Sequence, residues 1–174
     1  MKAYPTQRGV EKGLSALELL MVVAVVGILS AVAYPAVYEL ILSSRTRALA
    51  FQITTHLALA RNAAITRGQR VAVSPIAGPW QDGWRVHLDP NANGVWDEGE
   101  ELLAWHHGES SAEIRANGAM QRYVLFEPSG RPVQRSGGFL SGSIVICARS
   151  GSAGTALVMN ASGRVRTDRR ADLC

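Results

Sequence analysis

From Leu14 to Tyr34 the chain runs through 21 residues with a single charged side chain, Glu18. An apolar run of about 20 residues is what a helix needs to cross the hydrocarbon core of a bilayer. The fold must therefore consist of an anchor and whatever the remaining residues build beside it. An acidic side chain costs up to about 2.5–3.5 kcal/mol near the centre of such a span. A carboxylate kept there implies a compensating partner.

The flanks separate this segment from an ordinary secretory signal. Met1 to Gly13 is a polar leader carrying Lys2, Arg8 and Lys12, and no small-residue cleavage site follows the apolar run. Basic residues ahead of the span place the leader in the cytoplasm and the bulk of the chain outside it, with Arg45 and Arg47 coming only some distance beyond. What remains is about 130 residues, enough for one modest core. Cys147 and Cys174, the two cysteines, both lie in that outer part and read as one disulfide. Two unrelated buried thiols are the alternative, which suits a C-terminal residue poorly.

Charge is unevenly placed. From Asp82 to Glu113 there are eight acids and one arginine, whereas from Arg115 to the end nine arginines face three acids. Such a basic last third steers an anionic partner to one end of the molecule. Every basic side chain beyond Leu14 is arginine, which biased genome composition also produces, so position carries the argument rather than residue choice.

Gly13 followed by Leu14, with Glu18 at the fifth position after the glycine and Pro35 at the twenty-second, resembles the class III signal of type IV pilins and pseudopilins. That resemblance implies a prepilin peptidase cutting between Gly13 and Leu14, methylation of the new Leu14 amine, and pairing of Glu18 with a neighbouring subunit's N-terminal amine in a filament. A carboxylate in a low-dielectric bundle is tolerable beside a fixed positive charge and not alone. Two positions depart from the usual pattern: Leu14 stands where phenylalanine is common, and Ser15-Ala16 follows it.

Beyond the span, Pro35 predicts a bend or local break. Leu49, Ile53, Leu57, Ala60 and Ala64 then recur at helical spacing, so Ser43 to Thr66 reads as an amphipathic helix, with Gly68 as its cap. After it come short runs separated by turn residues: QRVAVSP, GWRVHLD, EELLAWH, AEIRA, RYVLFEP, GSIVICA, TALVMN and GRVRTD. The expected class is α+β, a long helix laid on antiparallel sheet. The expected divisions are leader 1–13, transmembrane and assembly helix 14–34, amphipathic continuation 35–67 and β-rich head 68–174. This order, with LALARNAAITRGQRVAV, GWRVHLDPNANGVWDEGEELL and the late SGRVRTDRRADLC, resembles the GspH/FimT branch of the pilin superfamily. The branch comprises minor subunits of type IV pili or of the type II secretion pseudopilus, which implies an inner-membrane, single-pass protein with a periplasmic head and other pilin subunits as partners.

Three constellations bear on function. In GRVRTDRR, a strand would put Arg164 and Arg166 on one face by its two-residue period, with Arg169 and Arg170 extending the basic surface. Guanidinium groups suit phosphate oxygens, and the G-R-x-R pattern resembles that by which FimT-type minor pilins hold double-stranded DNA in natural transformation. A Cys147–Cys174 bridge would pin this tail. With no aromatic interleaved, binding should be backbone-directed and salt-dependent; a solvated terminus beside Asp168 and Asp172, or a tail docked on an acidic neighbour, are the alternatives. DPNANGVWDEGE places Asp89, Asn91, Asn93, Asp97 and Glu100 at the oxygen positions of a twelve-residue calcium loop and Gly94 at its turn. Its flanks read as strands, however, and similar loops serve as plain turns, so no metal ligand is assigned. His56 and His87 stand alone, His106 and His107 face opposite ways in a strand, and no nucleophile motif occurs. No catalytic residue and no cofactor is expected.

Overall fold

The computed structural model describes residues 15–108, 112–148, 154–170 and 173–174, Arg170 by its backbone alone. Gly13 and Leu14, where leader cleavage and methylation are expected, lie outside the described residues. Among the described residues one α-helix, α1 (Ala16–Arg67), leads into nine strands, and the contacts divide the chain into Met1–Glu39 and Leu40–Cys174.

Within the first unit, every described residue is exposed to solvent, Leu17, Leu20, Ile28 and Val32 among them. Ser15 accepts a hydrogen bond at Oγ from the Glu18 backbone N–H (3.2 Å), an N-cap that starts the helix. Helix runs unbroken through Pro35, contrary to a local break there. Length and composition suit this segment to a membrane span.

The second unit begins with the rest of α1. Leu49, Ile53, Leu57, Ala60 and Ala64, the stripe expected from spacing, are all buried. Gly68 follows the helix at φ +63°, the left-handed conformation that lets a chain leave a helix without a Cβ penalty. The strands are β1 (Val71–Pro75), β2 (Gly83–Leu88), β3 (Leu102–His107), β4 (Ala112–Ala116), β5 (Val124–Phe126), β6 (Pro132–Val133), β7 (Gly142–Ala148), β8 (Gly154–Met159) and β9 (Val165–Arg170). All eight runs read from the sequence are strands; β6, two residues long, has no pattern to read. They form two antiparallel sheets, β3-β2-β1-β5-β6 and β4-β7-β8-β9, rather than one. The division arises because β4 pairs with β7, about thirty residues later, and not with β3 before it.

One core joins the helix stripe to both sheets: Ile53 and Leu57 share a buried cluster with Val71, Val73, Trp84 and Phe126 of the first sheet and Ile144, Ile146 and Leu157 of the second. Burying such side chains contributes about 1.5–3 kcal/mol each. The indole of Trp84 is satisfied at its polar tip, where Nε1 donates to His56 Nδ1 at 2.8 Å, and the His106 ring stacks on its face at 4.2 Å. His56 and His106, unrelated by sequence, thus flank one tryptophan.

That hydrogen bond needs Nδ1 of His56 unprotonated. Burial holds the His56 imidazole below its ordinary pKa, and nearby His106 adds to the effect. A histidine depressed in the folded state favours folding when neutral, so its contribution is present above the unfolded value of about 6.5 and is lost as pH falls below it. The melting temperature should fall as pH drops from 7 towards 5.5, and His56→Gln, an acceptor that does not titrate, should flatten that step. An unchanged slope in the variant would show that another group controls it.

Candidate functional site

The basic block is set by a tight turn between β8 and β9. Asn160 Oδ1 accepts from the N–H groups of Ser162 (3.1 Å) and Arg164 (2.9 Å), and the Gly163 N–H donates to the Asn160 carbonyl (2.9 Å). Gly163 sits at φ +79°, and a Cβ there would lie 3.2 Å from Pro132 Cδ and 3.3 Å from the Gly130 carbonyl oxygen. Only glycine meets both conditions, and the turn fixes where Arg164 emerges.

Beyond the turn, Val158 pairs with Arg166 and Thr155 with Arg169. Arg164 and Arg166 line one open groove of about 500 Å³ with Val158 and Asn160, as the two-residue period predicts. Arg169 departs from expectation. It lies on the opposite face with Thr167, in a smaller groove of about 190 Å³ whose other wall is Arg47, Phe51 and Thr54 of α1. The side chain of Arg170 lies outside the described residues.

A third groove, about 420 Å³, joins these along the seam between helix and strand: Arg61 and Ile65 of α1 face Gly163, Arg164 and Val165. Arg61 Nη1 donates to the Gly163 carbonyl at 3.4 Å. Arg47 and Arg61 are thus members of the site that motif reading missed. The signal was available, since Arg47, Phe51, Thr54, Ala58, Arg61 and Ile65 fall at alternating four- and three-residue steps, one edge of a helix. Phe51, 73% exposed, also brings an aromatic ring to a surface whose own strand has none.

The expected disulfide is present, Cys147 to Cys174 with Cα atoms 5.7 Å apart, tying the chain end to β7. Gly154 makes room for it, because a Cβ there would run into Cys174 Sγ.

The Asp89–Glu100 loop closes on itself. Asp89, fully buried, accepts from the N–H groups of Asn93 (3.0 Å) and Gly94 (2.8 Å) on its two oxygens. Asp97 Oδ2 accepts from the amides of Asn91 (2.8 Å) and Asn93 (2.7 Å), which hold its carboxyl below the usual range. His87 is not isolated: its Nδ1 lies 3.0 Å from both the Leu88 carbonyl and Glu100 Oε2, two acceptors, so Nδ1 is the donor, and Nε2 lies 3.1 Å from Ser74 Oγ. The order Ser74–His87–Glu100 has the connectivity of a hydrolytic triad. Yet Ser74 is 4% exposed within β1, which makes this a buried polar strut between sheet and loop. Among the described residues, no three His, Cys, Asp or Glu side chains converge to hold a metal.

A long helix, apolar and exposed in its first part, with antiparallel sheets packed on its second, defines a pilin-like subunit. The chain belongs to the GspH family, whose model, described as type II transport protein GspH, matches residues 49–163. The match ends one residue before Arg164. Pilin-like protein PilA1 of Thermus thermophilus is 32% identical over 166 residues, covering 90% of this chain and 98% of that protein. In fold, the chain is similar to the type IV minor pilin FimU of Pseudomonas aeruginosa (TM-score 0.56, 18% identity, 72% of this chain and 89% of that one). It is also similar to the minor pseudopilin EpsH from the type 2 secretion system of Vibrio cholerae (TM-score 0.51, 13% identity, 71% and 95%).

Closing the loop between Cys147 and Cys174, 27 positions apart, restricts the unfolded chain, an effect worth roughly 3.5 kcal/mol. Cys174→Ser should therefore lower unfolding free energy by about 2–4 kcal/mol in denaturant titration of the detergent-solubilised chain. A loss below about 0.5 kcal/mol would mean that the tail is held by other contacts.

Proposed function

We propose that this chain is a non-catalytic minor pilin subunit that assembles through its N-terminal helix and holds DNA on its arginine seam. The observation that carries assembly is Glu18, the one carboxylate between Leu14 and Tyr34. In this reading a prepilin peptidase removes residues 1–13, the Leu14 amine is methylated, and Glu18 pairs with the amine of an adjacent subunit. Before assembly the protein is held in the inner membrane by residues 14–34, and the β-rich head lies in the periplasm.

Arg164 and Arg166, with Arg61 and Arg47 from the helix and Arg169 on its flank, suit the phosphates of duplex DNA, which guanidinium groups bind bidentately. Such contacts carry no sequence information and weaken steeply with salt. A second reading, a minor pseudopilin of a type II secretion system, is favoured by the description of the matching family model. In that case the seam docks an acidic protein neighbour instead of DNA.

Two measurements test these statements separately. Mass spectrometry of the protein from its native host should give a chain beginning at methylated Leu14; residues 1–13 still attached would remove the filament reading. In a mobility shift with the full chain in detergent, the Arg164→Ala, Arg166→Ala double variant should bind duplex DNA about tenfold or more weakly, with the logarithmic salt slope reduced by about 2. A double variant that shifts DNA as well as the parent would show that the interface is elsewhere.

A further inference from the structure

Two carboxylates in the Asp89–Glu100 loop are withdrawn from water, and no arginine or lysine is paired with either among the described residues. Asp89 is fully buried and takes only backbone N–H bonds. The Glu100 side chain is 7% exposed. Its Oε2 accepts from the Asp97 N–H (3.0 Å) and from His87 Nδ1 (3.0 Å). Its Oε1 is buried and has no hydrogen-bond partner among the described residues. A buried, unpartnered carboxylate oxygen is costly, and a cation is the usual remedy.

The loop carries Asp89, Asn91, Asn93, Asp97 and Glu100 at positions 1, 3, 5, 9 and 12 of a twelve-residue oxygen-ligand loop, and position 7, Val95, offers its carbonyl. Gly94, at position 6, holds φ +70°, where a Cβ would collide with the Tyr123 ring at 2.6 Å. Asn93 Oδ1 accepts from the Val95 N–H (2.7 Å) and Asn91 Oδ1 from the Asn93 N–H (3.1 Å), so both amides are turned with nitrogen towards Asp97. The three carboxylates do not converge as they stand. Swinging the two amides off Asp97 Oδ2 frees that oxygen for an ion.

We propose that this loop binds a divalent calcium ion, with Glu100 Oε1 as a ligand oxygen awaiting it and His87 fixing the same carboxylate through Oε2. The ligands are all oxygen, the choice of a hard cation, and a flexible loop of this length favours calcium over the smaller, strictly octahedral magnesium. Hydrogen bonding of a ligating carboxylate from behind, as His87 provides through the sheet, is how such groups are commonly oriented. Because two ligand positions are asparagine, the loop's charge is low and its affinity belongs to the weak, extracellular range of about 0.1–1 mM. Flanking strands in place of helices make it a static brace between β2 and β3.

The test is calorimetric titration of the full chain in detergent with calcium chloride, alongside terbium luminescence excited through Trp96, which lies within the loop. One saturable site is expected, with magnesium at least about tenfold weaker. Asp97→Asn, at a partly exposed position, and Glu100→Gln should each weaken calcium at least about tenfold, and the circular dichroism of the calcium-free protein should be unchanged for Asp97→Asn. The proposal is overturned by the absence of saturable binding up to about 10 mM calcium, ten times the weak end of the range for such loops, or by equal affinity in Asp97→Asn and the parent.

Discussion

The head depends on one contact: the stripe Leu49, Ile53, Leu57, Ala60 and Ala64 of α1 closed against both sheets. Leu and Ile supply most of the buried area, while Ala60 and Ala64, both fully buried, continue the stripe with small side chains towards the helix C-terminus. Fixing that stripe inward fixes what lies beside it. Arg47, Phe51, Thr54, Arg61 and Ile65 are carried to the rim, where the last strand of the second sheet runs alongside. The seam is therefore a by-product of core packing, and its arginines are positioned by an apolar stripe of which Leu57 alone also lines the groove.

Much of this is legible in the chain because it is local. Helical spacing marks the buried stripe, and alternation between turn residues marks eight strands. Sheet membership is not local: nothing in AEIRA says that it pairs with GSIVICA rather than with EELLAWH. The same boundary separates what was found in the candidate site from what was missed. Arg164 and Arg166 share a face by strand period alone. Arg169 goes to the other side by that same period and meets Arg47, a partnership that requires knowing which helix edge accompanies β9. His87 reads as isolated because its partners, Ser74 and Glu100, are each 13 residues away in opposite directions and are brought in by the β1–β2 register and the return of the loop.

Polar groups inside the head follow a consistent rule. Trp80 Nε1 finds the Met120 carbonyl at 2.8 Å, Trp84 Nε1 finds His56, and each oxygen of Asp89 takes a backbone N–H. Against that background the bare Glu100 Oε1 is conspicuous, and it falls in the one loop whose sequence matches an oxygen-ligand pattern throughout. Trp96 Nε1, another buried side-chain atom without a hydrogen-bond partner among the described residues, is an aromatic nitrogen, for which desolvation costs less than for a carboxylate oxygen.

Glu18 poses the same question at the other end of the chain, and magnitudes decide it. Ser15 caps the helix through the Glu18 N–H, and an acid in a helix's first turn gains about 0.3–1 kcal/mol from the backbone dipoles. Placing an acid well inside a span costs up to about 2.5–3.5 kcal/mol. Local structure therefore leaves a shortfall of up to about 3 kcal/mol by those figures, which no residue of the described helix can offset, because its next charged side chain is Glu39, of the same sign. In the proposed filament the compensating charge comes from another molecule: parallel helices, each ending in a cationic amine beside the next chain's carboxylate, would supply one at every subunit.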